Sequence, residues 1–264
     1  MKILLNNNDL NEALYGVTNL GFVPTMGSLH KGHISLIKKS LKDNNKTIVS
    51  IFVNPTQFND KKDYKSYPKN YKKDLSILKK LKVDYLFLPK THIMYDKLVK
   101  SKIKLRLEDK ILCAKYRKGH FEGVIDIMDR LTNKINPKKI YMGEKDFQQL
   151  YLVKKYIEKK YKSKIISCKT IRDPNKLALS SRNLLLKKSH LFIAGKLTQN
   201  IILIKKNLNN KKIDKKILNS IKNKLKNKYN ISIEYFELRN SINLKISKSI
   251  KNSRFFISYY LNNI

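Results

Sequence analysis

Two histidines three residues apart, His30 and His33, stand inside the run Pro24-Thr25-Met26-Gly27-Ser28-Leu29-His30-Lys31-Gly32-His33. The chain has only five histidines, so two of them in four residues is a concentration of chemistry. Imidazoles placed side by side can hydrogen-bond phosphate oxygens and stabilise charge as a phosphorus is attacked. Gly27 and Gly32 let backbone approach an anion closely. A helix opening near His33 would add free N–H groups and the positive end of its dipole. The plainer reading, two surface histidines in a loop, does not explain the bracketing glycines or the apolar run before them.

Four further runs carry groups that could complete such a site. In Gly143-Glu144-Lys145-Asp146-Phe147-Gln148-Gln149, Lys145 can meet phosphate oxygens as a point charge. Asp146 can accept from a ribose hydroxyl or simply cap a helix. In Leu179-Ser180-Ser181-Arg182-Asn183, two hydroxyls and a guanidinium make either a phosphate clamp or a helix start. Val53-Asn54-Pro55-Thr56-Gln57-Phe58 offers the amides of Asn54 and Gln57. Those suit a neutral hydroxyl and a carboxylate, though such residues are also common in turns. Arg117-Lys118-Gly119-His120-Phe121-Glu122-Gly123 is a glycine-bracketed loop in which Arg117 could bind a carboxylate or phosphate. His120 is read there as structural.

These runs must be positioned by a scaffold, and the pattern of the chain names one. Gly21–Thr25, Thr47–Val53, Asp84–Pro89, Lys139–Met142 and Lys164–Thr170 read as strands. The second is β-branched and continuously apolar, which suits a strand covered on both faces. Between them, His33–Asp43, Tyr71–Leu81, Gly123–Ile135 and Phe147–Lys160 read as helices. The alternation predicts an α/β, Rossmann-like, doubly wound parallel sheet over residues 1–177. From about Asn183 the texture changes. Leu184–Leu208 and Ile213–Tyr229 read as long lysine-rich helices, and Ile231–Leu238 and Arg254–Tyr260 as strands. A smaller α+β lid domain is expected over residues 178–264, joined at a hinge between Asp173 and Asn183. Open α/β sheets bind ligands at the carboxyl ends of their strands, where Pro24–His33 and Gly143–Asp146 both fall.

The formal net charge of +38 suggests a nucleic-acid partner on its face. The excess is mostly lysine, however, spread from Lys38 to Lys251 and interleaved with Asn and Ile. We read it as the codon usage of an AT-rich coding sequence, and expect no selected nucleic-acid binding. Arginine is informative against that background: Arg117, Arg172 and Arg182 all lie beside motif residues. Cys113 and Cys168 form neither a metal-ligand spacing nor a disulfide framework, which fits a reducing compartment. Met1–Asn6 turns polar too soon for a signal peptide, and no apolar run is long enough to span a bilayer. A cytoplasmic protein with no membrane partner is expected. Walker-type phosphate loops, Gly-x-Gly-x-x-Gly and Gly-x-Ser-x-Gly elbows are all missing from the sequence.

Taken in order, PTMGSLHKGH, SIFVNPTQF, Tyr67-Pro68, GHFEGV, GEKDFQQL and LALSSRN resemble the pantothenate synthetase (pantoate–beta-alanine ligase) family. This is a branch of the nucleotidyltransferases with a His-x-Gly-His signature loop. The resemblance covers most of the first two thirds of the chain. It implies a two-step reaction: ATP and pantoate give pantoyl-adenylate and pyrophosphate, then beta-alanine attacks the mixed anhydride to give pantothenate and AMP. It implies Mg2+ bound with ATP, and a homodimer. By position, it places ATP on Met26, Gly27, Ser28, Leu29, His30, Lys31, Gly32 and His33, on Gly143, Glu144, Lys145 and Asp146, on Ile171, and on Leu179, Ser180, Ser181 and Arg182. His33 is the usual catalytic assignment, and His30, Lys145 and Arg182 are expected to share the charge stabilisation. Gln57 and Gln149 match pantoate-binding positions, with Gln57 also near beta-alanine. Asn54 and Arg117 join them as substrate-side candidates.

The chain departs from the family at several points. Asp-Gly-Leu-Ala usually precedes the serines, where this chain reads Asn175-Lys176-Leu177-Ala178. Lys118 replaces a proline after Arg117, and Lys115 and Tyr116 replace small residues before it. Of the acidic residues expected at the helix start near Lys73, only Asp74 remains, so no protein ligand for magnesium is assigned. Two rival readings are a different nucleotidyltransferase sharing His30 and His33, and a basic nucleic-acid-binding module.

Overall fold

The computed structural model describes residues 1–95, 103–208 and 211–261. It falls into two compact units, Met1–Ile171 with Leu179–Leu184, and Arg172–Ala178 with Leu185–Ile264. Around the expected 177/178 boundary the chain therefore passes between units more than once, rather than at a single cut.

The first unit is built on six strands: β1 (Lys2–Leu4), β2 (Leu20–Thr25), β3 (Lys46–Ile51), β4 (Tyr85–Phe87), β5 (Lys139–Gly143) and β6 (Lys164–Cys168). They pair in the order β1-β4-β3-β2-β5-β6, and every pairing is parallel. This is the doubly wound sheet that the alternation implied. Its helices are α1 (Asn7–Leu14), α2 (Lys31–Asp43), α3 (Lys61–Ser66), α4 (Tyr71–Lys80), α5 (Thr91–Met94), α6 (Cys113–Tyr116), α7 (His120–Ile135), α8 (Phe147–Val153) and α9 (Lys159–Tyr161). Between α8 and α9 a π-helical turn, Lys154–Glu158, interrupts what reads in sequence as one helix.

The strand period of two sorts side chains to opposite faces. Phe22, Ile48 and Ile140 enter one core with residues of α1, α7 and α8. Their neighbours Val23, Val49 and Tyr141 enter the other with Leu36 and Ile37 of α2 and Leu78 of α4. Both faces are thus buried, which is why Thr47–Val53 reads as an apolar run with few breaks. Burying a side chain such as Phe22, which is 0% exposed, contributes about 1.5–3 kcal/mol.

The second unit holds α10 (Lys188–Asn207), α11 (Lys215–Tyr229) and an antiparallel pair, β7 (Ser232–Asn240) and β8 (Ser253–Tyr260). Leu197, Leu225 and Leu238 centre its core, and the Phe236 and Phe255 rings stack at 5.0 Å. The helix expected from Leu184 begins only at Lys188. A 3-10 turn, Ser181–Leu185, comes first, because Ser180–Arg182 are held by the first unit instead. The last expected strand of the sheet also ends early, at Cys168 rather than Thr170.

Candidate active site

The strand order places a crevice by itself. From β2 the chain moves outward through β3 and β4 on one side, and β5 and β6 continue on β2's other flank. Between β2 and β5 the connections diverge, which is where a doubly wound sheet takes its ligand. A cleft of about 250 Å³ opens there, lined from the ends of both strands.

The β2 side supplies His30 and His33. His30 caps α2: its Nδ1 accepts from the Gly32 amide at 3.0 Å, and His33 Nδ1 accepts from the His30 amide at 3.3 Å. A neutral imidazole whose Nδ1 accepts must carry its hydrogen on Nε2. Both rings are therefore Nε2–H donors, 4.1 Å apart between centroids, on the cleft wall. Burial, then the neighbouring His30 ring, hold His33 far below the ordinary histidine range, at about 3. Burial, then Lys145, lower His30 as well. The pair is thus a neutral donor set beside a helix N-terminus.

Backbone rather than side chains shapes the rest of this loop. Gly27 has φ +79, and a Cβ there would stand 3.0 Å from Asp74 Oδ2. Ser28 and Leu29 donate their amides to the two oxygens of Asp74, at 2.8 and 2.7 Å. Asp74 is 1% exposed, so the acidic residue retained at this helix start is a loop clamp. Met26, His30, Gly32 and His33 line the cleft. Gly27, Ser28 and Leu29 form the turn behind it, and the Lys31 side chain is exposed outside it.

From the β5 side, Gly143, Lys145 and Asp146 line the same cleft, and Lys145 Nζ meets Asp146 Oδ1 at 3.1 Å. Glu144 turns away, accepting from the Ser167 hydroxyl on β6 at 2.7 Å. Ile171, Leu179, Ser180, Ser181 and Arg182 close another wall, with Lys169 and Thr170 beside them. Leu179 donates its amide to Ile171, and Ser181 donates its hydroxyl to the Ser28 carbonyl at 3.1 Å.

Asn54, Gln57, Gln149 and Arg117 also line the cleft. Asn54 is engaged on both ends of its amide. Its Oδ1 accepts from Thr56 and from Tyr95 at 2.7 Å, and its Nδ2 donates to Gly123 and Gln57. It fixes the 3-10 turn Pro55–Gln57 against α7. Gln57 Nε2 rests on the Met26 sulfur, a weak acceptor that a substrate oxygen would readily replace. His120 Nδ1 lies 2.5 Å from the Gln57 carbonyl, which is the structural role read for it.

A family model described as Pantoate-beta-alanine ligase matches residues 3–264. The chain belongs to the pantoate–beta-alanine ligase family. A pantothenate synthetase of Clostridium botulinum (strain ATCC 19397 / Type A) is 45% identical over 202 residues, 74% of this chain and 72% of that protein. Another, from Flavobacterium psychrophilum, is 38% identical over 266 residues, 97% of this chain and 92% of that one. The crystal structure of pantothenate synthetase from Thermus thermophilus matches with TM-score 0.92 at 27% identity, over 100% of this chain and 96% of that chain. The pantoate-beta-alanine ligase of Francisella tularensis, complexed with beta-gamma ATP and beta-alanine, matches at 0.83 and 36% identity, over 100% and 95%. The motif resemblance is thus borne out. As a member of this family, the chain is an ATP-dependent ligase joining pantoate to beta-alanine to give pantothenate.

Some residues that shape the site are not marked by the sequence as part of it. Asp63 on α3 pairs with Arg182, Tyr95 holds Asn54, and Asp74 holds the histidine loop. Each acts on a partner distant in sequence. Only Asp74 carried a signal, as the one acidic residue kept at a helix start where the family carries several.

Proposed function

We propose that the cleft between β2 and β5 runs the ligation in two steps, through pantoyl-adenylate. The observation that carries this reading is the pair of neutral Nε2–H donors, His30 and His33, at the start of α2 in a cleft shared with Lys145 and Arg182. Lys145 and Arg182 would neutralise charge on the triphosphate, and His30 and His33 would hydrogen-bond the oxygens at its α-phosphorus, with His33 central. Donors held in place by backbone bonds at Nδ1 need no reorganisation as charge develops. Met26, His30, Gly32, His33, Gly143, Lys145, Asp146, Ile171 and Leu179–Arg182 would seat the nucleotide, with the turn Gly27–Leu29 behind them and Lys31 and Glu144 contributing backbone only. Gln57 and Gln149 would hold pantoate's hydroxyl and carboxylate, with Arg117 beside them and Asn54 keeping Gln57 in place. The carboxylate attacks the α-phosphorus, pyrophosphate leaves, and no protein nucleophile is needed.

Among the described residues no three His, Cys, Asp or Glu side chains cluster to hold a metal ion. Asp74 has both oxygens on backbone amides. We therefore place magnesium on the ATP phosphates and assign it no protein ligand. A cytoplasmic location is supported by Cys113 and Cys168 forming no disulfide, and a homodimer by family resemblance alone. Among the described residues no helix is long and apolar enough to cross a membrane.

Pyrophosphate release with ATP and pantoate, first without and then with beta-alanine, tests the reading. Pantoate alone should support a single turnover, and beta-alanine should make release continuous and yield AMP. Release that never occurs without beta-alanine would sink the adenylate. Tight nucleic-acid binding near physiological salt with no adenylate would favour the basic-module alternative.

A further inference from the structure

The cleft holds three histidines, and they do not present the same atom. His30 and His33 accept backbone amides at Nδ1 and so donate from Nε2. His120 is the reverse. Its Nδ1 contacts the Gln57 carbonyl, which can only accept, so Nδ1 carries the hydrogen and Nε2 the lone pair. Two donor imidazoles suit a phosphate. A lone-pair imidazole can take up a proton, and beta-alanine's nitrogen must give one up as it is acylated.

We propose that His120 Nε2 is the proton acceptor for the amine in the second step. This rests on the two-step reading above. The neutral amine of beta-alanine attacks the acyl carbon of the adenylate, and the C–N bond forms. The C–O bond to phosphate breaks, and its electron pair leaves with AMP. The nitrogen, momentarily cationic, gives one proton to Nε2, which passes it to water.

The placement of His120 fits that task. It is the first residue of α7, after Gly119 at φ +81, so the helix dipole opposes a positive ring. Burial, and then the Arg117 charge, hold it neutral, with a pKa of about 4. A base of that strength cannot deprotonate a free ammonium. It can take the proton of a nitrogen being acylated, which becomes a far stronger acid as its lone pair enters the amide. Arg117 and Arg182 both disfavour a proton on this ring, and an AMP phosphate would offset charges of that sign.

Two substitutions separate this from the bond to Gln57. His120→Asn puts an amide N–H where Nδ1–H stood, keeping that bond, and removes Nε2. His120→Gln reaches toward the Nε2 position with an amide that takes no proton. The readouts are pantoate-dependent exchange of pyrophosphate into ATP, which reports adenylation, and pantothenate formation at saturating beta-alanine. For His120→Asn we expect exchange within about threefold of wild type and formation reduced about 100-fold, in kcat more than in KM for beta-alanine. Near-normal formation by this variant would overturn the proposal. So would exchange and formation falling together in both variants, since that marks a purely structural role. Absence of exchange in the wild type would instead overturn the two-step reading.

Discussion

Arg182 holds Asp63 through three hydrogen bonds of 3.4, 3.3 and 3.0 Å, with its guanidinium 5.3 Å from the centre of the Tyr67 ring. The pair is partly exposed, so the attraction itself is worth about 0–1 kcal/mol. Its consequence is orientation: carboxylate and ring fix a planar cation on the cleft wall. Asp63→Ala should raise KM for ATP about two- to fivefold, the equivalent of up to 1 kcal/mol, with kcat little changed. Arg182→Ala should lower kcat/KM about 100-fold, because it removes a donor facing developing charge. Steady-state kinetics on both variants checks the ranking. Equal losses would mean that Asp63 meets substrate directly.

Gly123 lets α7 touch the turn that carries Gln57. A Cβ at this position would lie 2.4 Å from the Thr56 carbonyl oxygen and 2.9 Å from the Gln57 amide nitrogen. Both are backbone, so the turn must move. Gly123→Ala should destabilise by about 1–3 kcal/mol, as overpacking does. It should also raise KM for pantoate more than KM for ATP, because Gln57 is displaced while the histidine loop is not. An unchanged ratio of the two constants would uncouple Gln57 from pantoate.

Acid should weaken the fold through two cleft histidines. His33 is lowered from 6.5 to about 3, and His120 from 6.5 to about 4. Folded-state values below the unfolded ones mean that the unfolded chain binds the protons first. Their contribution is therefore intact above about pH 6.5 and declines as pH falls toward the folded values, by at most about 1.4 kcal/mol per pH unit for each ring. Urea unfolding of the wild type and His33→Gln at neutral and mildly acid pH measures this. The variant's stability should depend less steeply on pH over that window. Identical slopes would show that His33 titrates normally.

Periodicity and breakers carried the sheet. The run Thr47–Val53 is apolar because both of its faces are covered, and Asn54-Pro55 ends it at the cleft. Three residues that the sequence singles out, His30, Lys145 and Arg182, line one cleft in the fold. What was not legible depends on pairing across the fold. Nothing local marks Asp63 as the partner of Arg182, or Asp74 as the clamp on Ser28 and Leu29. The structural reading of His120 agrees with its bond to the Gln57 carbonyl, but the tautomer that this bond sets is not written in the sequence. The start of α10 was misplaced for a similar reason. Leu184 and Leu185 look helical, but they lie in the 3-10 turn that follows the anchored Ser180–Arg182.

Lys176 stands where the family carries glycine, and its backbone keeps the glycine conformation. Its φ is +70, inside the loop closed by the Arg172–Ala178 bridge. Asp173 Oδ1 accepts from the Leu177 amide at 2.9 Å, and Arg172 donates to the Lys176 carbonyl at 2.9 Å, so the turn is pinned from both sides. A side chain with a Cβ in this region costs roughly 1–2 kcal/mol, while glycine costs about 0.5–1 kcal/mol of chain entropy elsewhere. Lys176→Gly should therefore stabilise the protein by a net amount of up to about 1 kcal/mol. The gain should appear as a higher urea midpoint with an unchanged slope. Destabilisation would show that the lysine's own contacts outweigh the backbone strain.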